Sequence, residues 1–275
     1  MSVAASREQL SPIISFVSTK GGVGKTTMAY VLATELARRF ALGGGSGMLP
    51  RGRLTCIDAD PNRTLSQVLG LTGDALITCI ESDSERLLTD LRRAQREADL
   101  VLIDLEGTAN QAMLYATGKS DLVLVPAQPS RFDVVEAVKT IGVVRKAADL
   151  VGRDIPHRVV LSRTPVLKQH VADHTREQFV RSGLPVLPVE LLHRAAFQSM
   201  TYTGNPPYRQ AGGGQAAANV ASFADEVLAV MGLNLPQMPA QDHRWAGMIP
   251  GESGAGSPWA GAWQGQGNAE QSAVE

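Results

Sequence analysis

Three short segments carry residue types and spacings that suit phosphate chemistry. The first is Lys20-Gly21-Gly22-Val23-Gly24-Lys25-Thr26-Thr27, directly after the apolar run Ile13 to Val17. Glycines there let successive backbone N–H groups turn inward around phosphate oxygens, and a following helix would aim its positive end at them. Lys25 is placed to reach β and γ phosphates, and the Thr26 hydroxyl can ligand Mg²⁺. The second segment, Leu54 to Asn62, is an apolar run that ends in Asp58-Ala59-Asp60-Pro61-Asn62. Alternate residues of a strand share a face, so Asp58 and Asp60 project the same way. Beside a magnesium phosphate, one such carboxylate can hold metal-bound water and the other can orient the attacking water. The third is Leu100-Val101-Leu102-Ile103-Asp104, four apolar residues and an acid, which suits a buried strand delivering Asp104 to the same Mg²⁺.

Positioning these groups takes a strand–loop–helix unit at the first motif and two more strands ending at the other two. Apolar runs alternate with helical patterns along the chain, which predicts an α/β fold with a mostly parallel sheet and helices on both faces. Helices are predicted over Thr26 to Leu42, Ser84 to Glu97, a segment carrying Val134, Val138, Ile141, Val144 and Ala148, Gln169 to Arg181, and Ala216 to Met231, with Gly232 as a stop. Further strands are predicted over Asp121 to Pro126 and His157 to Leu161. Gly43 to Gly47 reads as a solvent loop. The domain plan is a short extension over 1–12, one α/β domain over 13–233 that carries all three segments, and a Pro/Gly-rich, disordered tail over 234–275. All three tryptophans of the chain, Trp245, Trp259 and Trp263, fall in that tail.

The glycine loop departs from the strict phosphate-loop pattern at one place, where Thr19 stands for glycine, and it adds Lys20 at its entrance. In both respects it resembles the deviant P-loop of the ParA/MinD family of ATPases. The Asp58 to Asn62 segment is similar to that family's second motif, and Leu100 to Asp104 has its Walker B form. After Asp104 the chain reads Leu105-Glu106-Gly107-Thr108-Ala109, and with Arg194 to Gln198 this looks more like the VirC-type branch that acts in DNA transfer. The resemblance implies a P-loop NTPase fold with ATP and Mg²⁺ as cofactors. It implies ATP and phosphate contacts from Lys20, Gly21, Gly22, Val23, Gly24, Lys25, Thr26, Thr27 and Arg163, and Mg²⁺ held by Thr26, Asp58 and Asp104. Lys20 and Asp60 would be the catalytic pair, Lys20 by crossing to the partner's phosphates in a homodimer that sandwiches two ATP molecules. The function implied is ATP-dependent DNA positioning, in plasmid partition or conjugative transfer, with duplex DNA held without sequence preference and a DNA-bound adaptor (ParB-like or a relaxosome component) stimulating hydrolysis. The alternative is an ATPase that positions a protein assembly without holding DNA.

Composition narrows the classes. A chain of 275 residues that is 44% hydrophobic can bury a sizeable core. It has no apolar run near the ~18 residues that span a bilayer, and Met1 to Ser11 lacks the form of a secretory signal, so a cytoplasmic enzyme is predicted. Cys56 and Cys79, the only cysteines, do not make an iron–sulfur site. A small-molecule ligase of the dethiobiotin or cobyrinate type shares the P-loop but has no visible substrate site here. After Leu235 only Arg244 is basic, against Asp242, Glu252, Glu270 and Glu275; anionic lipid would repel that segment, so no membrane partner is predicted. Arg163, Lys168, Arg176, Arg181, Arg194 and Arg209 are the candidates for DNA phosphate contact.

Overall fold

The structure is a computed structural model and describes residues 10–43, 52–106, 111–166 and 170–235. Seven strands form one sheet: β1 (Ile13–Phe16), β2 (Leu54–Ala59), β3 (Ile77–Glu81), β4 (Leu100–Leu105), β5 (Leu122–Ala127), β6 (His157–Thr164) and β7 (Leu191–Leu192). Their order is β3-β2-β4-β1-β5-β6-β7, and every pairing is parallel. Both faces of such a sheet are covered, which is why its inner strands read as unbroken apolar runs rather than alternating ones. The α/β P-loop architecture predicted from the motifs is the one observed.

Among the described residues eight α-helices cover it: α1 (Lys25–Gly43), α2 (Thr64–Thr72), α3 (Leu87–Glu97), α4 (Gln111–Lys119), α5 (Arg131–Val151), α6 (His170–Arg181), α7 (Ala195–Thr203) and α8 (Gly214–Met231). Alternate strand residues separate the core into two layers. Ile14, Phe16, Leu54, Cys56, Leu102 and Leu124 pack with Met28 and Leu32 of α1 and with Val220 and Phe223 of α8. Ile13, Ile57, Val101, Ile103 and Val125 pack on the other side with Leu91 of α3, Ala116 of α4, Ile141 of α5 and Phe179 of α6. Cys56 is fully buried, as its strand position implies.

Element boundaries differ from the sequence reading where side chains intervene. The third helix starts at Leu87, not Ser84, because the Asp83 carboxylate accepts from the Glu85 and Arg86 N–H groups at 3.0 and 2.9 Å and holds a turn. β6 runs on to Thr164, three residues past the predicted end, and its extension delivers Ser162 and Arg163 to the sheet's upper edge. Gly232 does end α8, in the left-handed region at φ 65°. The elements α2, β3, α4, β7 and α7 were not predicted; each is nine residues or fewer. Gly44 to Gly47 and the tail with its three tryptophans lie outside the described residues.

Gly204 closes α7 at φ 66°, and a Cβ there would stand 2.3 Å from Leu71 Cβ and 2.6 Å from the Leu71 carbonyl carbon. Its own carbonyl accepts from the buried Tyr30 hydroxyl at 2.7 Å. Gly204→Ala therefore combines left-handed strain with a backbone clash and should destabilise the protein by about 2 kcal/mol or more. A lowered urea midpoint at unchanged m-value checks this, and an unchanged midpoint would contradict the packing described.

Candidate nucleotide and magnesium site

The loop between β1 and α1 turns at Gly22 (φ 73°) and Gly24 (φ 100°), conformations that L side chains rarely adopt. The helix begins at once, with the Met28 N–H donating to the Gly24 carbonyl at 2.9 Å. Seven backbone N–H groups, those of Gly21 to Thr27, find no acceptor among the described residues. That row of donors at the N-terminus of a 19-residue helix is a built anion cradle. Ser162 of β6 braces it from behind, its hydroxyl donating to the Val23 carbonyl at 2.7 Å.

Two carboxylates meet beside the cradle. Asp58 and Asp104 are register partners on β2 and β4, and neither is exposed. Their surroundings differ. Asp58 is engaged within its own loop: Oδ2 accepts from the Ser66 N–H and hydroxyl at 2.9 and 3.0 Å, and Oδ1 accepts from the Asp60 N–H at 3.2 Å. Asp104 has no hydrogen bond of good geometry on either oxygen. Burial pushes its carboxyl up to about 7; the Thr26 hydroxyl lowers it in part, the Asp58 charge raises it, and Lys25 lowers it again. A buried carboxylate with both oxygens free and a threonine hydroxyl beside it suits a hard cation. Of the three residues expected at Mg²⁺, Thr26 and Asp104 could hold such a cation on this chemistry, and the Asp58 oxygens also accept hydrogen bonds from its own loop.

That loop carries Asp60. Arg63, in the left-handed region at φ 53°, folds back so that its guanidinium donates to the carbonyls of Asp58 (2.6 Å) and Ser82. Asp60 Oδ1 accepts from both the backbone and side-chain nitrogens of Asn62 at 2.9 Å. Asp60 then lines a cavity of about 480 Å³ together with Gly22, Lys25, Thr26, Glu106 and Arg163. A neighbouring cavity of about 540 Å³ shares Gly24, Thr27 and Arg163 with the first and is walled by Leu192, His193 and Phe197. Arg163, also left-handed at φ 53°, stands between the two.

Lys20 is not in either cavity. Its Nζ lies 2.9 Å from Oδ2 of Asp133, a residue only 3% exposed that also accepts from the Ser130 hydroxyl and the Gln128 N–H. Gln128 in turn donates to the Gly22 carbonyl at 3.1 Å. Thr19, the residue that replaces glycine, is used in the same way: its hydroxyl donates to Glu136 at 3.1 Å, and its N–H donates to the Thr140 hydroxyl at 3.2 Å. The first turns of α5 therefore hold the entrance of the loop.

Sequence reasoning missed Arg63, Ser66, Gln128, Asp133 and Ser162. Ser130-Arg131-Phe132-Asp133 did carry a signal, a serine N-cap with an acid three residues on, and Ser130 does cap α5. Arg63 and Ser162 had none. Four of the basic residues expected to meet DNA have partners within the chain. Arg176 pairs with Glu190 at 2.8 Å, Arg181 with Glu177 at 3.3 Å, and Arg209 with Asp74 at 3.5 Å, while Arg194 donates to Gln215 at 2.9 Å. Lys168, like Gly107 to Ala109, lies outside the described residues.

The Asp104 carboxyl gives a pH signature. An acid whose pKa rises on folding adds stability below its unfolded value, and that stability is lost as pH climbs towards the folded value. From the ordinary 3.8 to about 7, the loss amounts to roughly 4 kcal/mol, an order-of-magnitude figure. Asp104→Asn should remove it, so that without nucleotide the variant gains on the wild type steadily between pH 4 and pH 7. Urea titrations across that range check the sign, and parallel pH profiles would contradict it.

Comparison with known proteins identifies relatives of this chain. Residues 11–206 match the family model described as VirC1 protein. A ParA protein of Rhizobium radiobacter is 27% identical over 196 residues, covering 70% of this chain and 83% of that one. A VirC1 protein of the same organism is 28% identical over 199 residues, covering 70% and 81%. Among solved structures, an ATP complex of Cyanothece McdA superposes with a TM-score of 0.63 at 17% identity, covering 82% of this chain and 98% of that one. The fold is that of ParA/MinD-type P-loop ATPases. By its motifs and by a match across most of its length, the chain belongs to the VirC1 family.

Proposed function

We propose that this chain is an ATPase that binds ATP with Mg²⁺ at the β1–α1 loop, closes as a homodimer and positions DNA. One observation carries the reading: the loop from Gly21 to Thr27 has seven backbone amides with no acceptor among the described residues, and the Thr26 hydroxyl of that loop lies beside the buried Asp104 carboxylate. The amides of Gly21 to Thr27 cradle the phosphates, and Lys25, 7% exposed, supplies their counter-charge. Thr26 and Asp104 hold Mg²⁺, which neutralises charge on the phosphate oxygens when bound. Asp58 acts one step back, fixing the loop that presents Asp60. Asp60 orients the water that attacks the γ phosphate, and the base side of the nucleotide occupies the cavity walled by His193 and Phe197. Lys20 must leave Asp133 to reach a partner's phosphates, so closure trades an ion pair within the chain for one across the dimer. An adaptor that favours the closed form would set the rate of turnover.

A second reading is favoured by the in-chain pairing of Arg176, Arg181 and Arg209: an ATPase that positions a protein assembly and holds no DNA. The two part company on DNA retention.

The switch residues separate the steps. Lys25→Ala should lose nucleotide binding, because the phosphates lose their main counter-charge. Lys20→Ala should keep ATP affinity yet neither dimerise nor turn over. Asp60→Ala should bind ATP and stay dimeric, since the cradle is intact and only the water is unplaced. Light scattering with ATP, beside phosphate release, reads all three; a Lys20 variant that dimerises and hydrolyses normally would refute the role given to that lysine.

For the DNA half, the wild type with ATP and Mg²⁺ should retain duplex DNA of any sequence, with ADP giving no retention. Log affinity should fall against log salt by about 0.9 per phosphate contact. Removal of residues 236–275 should leave this unchanged, and anionic liposomes should bind neither form. Gel shifts at several salt concentrations decide between the readings, and absence of retention even at low salt would favour the protein-assembly reading.

A further inference from the structure

We propose that Glu106 is a second catalytic residue of the nucleotide site, and that with Asp60 it holds the water that attacks the γ phosphate. The inference rests on the reading of the β1–α1 loop as an ATP site. Strand register brings the two acids together. Asp58 and Asp104 are paired across β2 and β4, and so are Ala59 and Leu105. Asp60 and Glu106 come next on their chains, two residues past the buried pair and about 6.6 Å farther along. Alternation gives them the same face as Asp58 and Asp104. One pair of carboxylates thus lies below another. The lower pair is sealed from solvent. The upper pair lines the cavity of about 480 Å³ together with Lys25, Thr26 and Arg163.

The rest of that wall is made for an anion. Gly21 to Thr27 present amides, and Lys25 and Arg163 bring positive charge; among the described residues, Asp60 and Glu106 are the only acids that line it. Phosphate oxygens are acceptors, so two carboxylates do nothing for their binding and repel them. What such acids serve is a donor, and the attacking water is a donor with two O–H groups to fix. Both side chains have acceptor oxygens to spare. Glu106, half-buried, makes no hydrogen bond or ion pair among the described residues. Asp60 gives Oδ1 to Asn62, and its Oδ2 accepts nothing among them. Arg63 and Asp83 share a further cavity of about 230 Å³ with Glu106, yet each is engaged elsewhere. Arg63 holds the carbonyls of Asp58 and Ser82, and Asp83 holds the N–H groups of Glu85 and Arg86. One acceptor for each O–H leaves a lone pair of the water free to face phosphorus. The water oxygen bonds to the γ phosphorus, and the bond to the bridging oxygen breaks with its electron pair leaving on ADP. Both water protons end on the released H₂PO₄⁻.

The test reads binding before it reads turnover. Retention of labelled ADP is measured for the full-length wild type and for Glu106→Gln, with Mg²⁺ and either of two fluorides. Beryllium fluoride copies the tetrahedral γ phosphate at rest. Aluminium fluoride copies the planar phosphoryl group in flight, with the water on its axis. Glu106→Gln should keep the beryllium complex within about twofold and weaken the aluminium complex at least about tenfold, because only the second depends on the placed water. Equal retention by both proteins overturns the inference. Equal weakening of both complexes overturns it too, and would put Glu106 on a metal-bound water instead. A wild type that forms neither complex overturns the ATP reading along with it, so the two failures are distinct. Glu106→Ala reports independently: its hydrolysis should fall about 100-fold and recover at least about tenfold with formate, a carboxylate small enough for the vacated space. Formate without effect on a Glu106→Ala protein that still holds the beryllium complex overturns the assignment.

Discussion

Two carboxylates with no exposure, side by side on β2 and β4, are the constraint around which the site is arranged. Burying one unpaired acid is costly, and burying two as neighbours is worse, because their like charges repel in a low dielectric. The fold resolves this asymmetrically. It surrounds Asp58 with the donors of Ser66 and Asp60, and it leaves Asp104 with nothing but a nearby threonine and lysine. The first solution shapes a loop. The second stores an unmet need that a proton or a cation can satisfy, and the parallel sheet places that need beside the helix N-terminus where phosphate would sit.

The sheet order explains why these groups meet. With β1 between β4 and β5, the loop after β1 is flanked on one side by the acid that ends β4 and on the other by the turn that opens α5. The first neighbour gives the chemistry its carboxylate. The second holds the loop entrance through Lys20, Thr19 and Gly22. Lys20 is thus a residue with two claims on it. In this structure Asp133 has it; in the proposed dimer a phosphate does.

How much of this the sequence carried follows from how local each signal is. The glycine loop, the Asp58 to Asn62 segment and the strand ending in Asp104 were legible because composition and order alone specify them. Long helices such as α1, α5 and α8 were legible from their period, even where ends moved by a residue or two. What escaped depends on contacts distant in sequence. Asp133 is an ordinary N-cap until the fold brings Lys20 to it from 113 positions away. Arg63 matters because a left-handed turn aims it back at Ser82, and nothing in its neighbours announces that turn. The pairing of several late arginines with nearby acids or backbone carbonyls is likewise set by contacts that the sequence does not announce.

The account turns on Lys20 exchanging Asp133 for a partner's phosphate, and sedimentation of Asp133→Asn with ATP and Mg²⁺ tests that exchange most directly. Asparagine keeps the shape and the capping of α5 but releases the lysine. The variant should dimerise at a lower protein concentration than the wild type, by up to about tenfold for an ion pair contributing about 1.4 kcal/mol. A midpoint that is unchanged, or shifted to higher concentration, would mean that Asp133 does not restrain the lysine, and the proposed switch would fail.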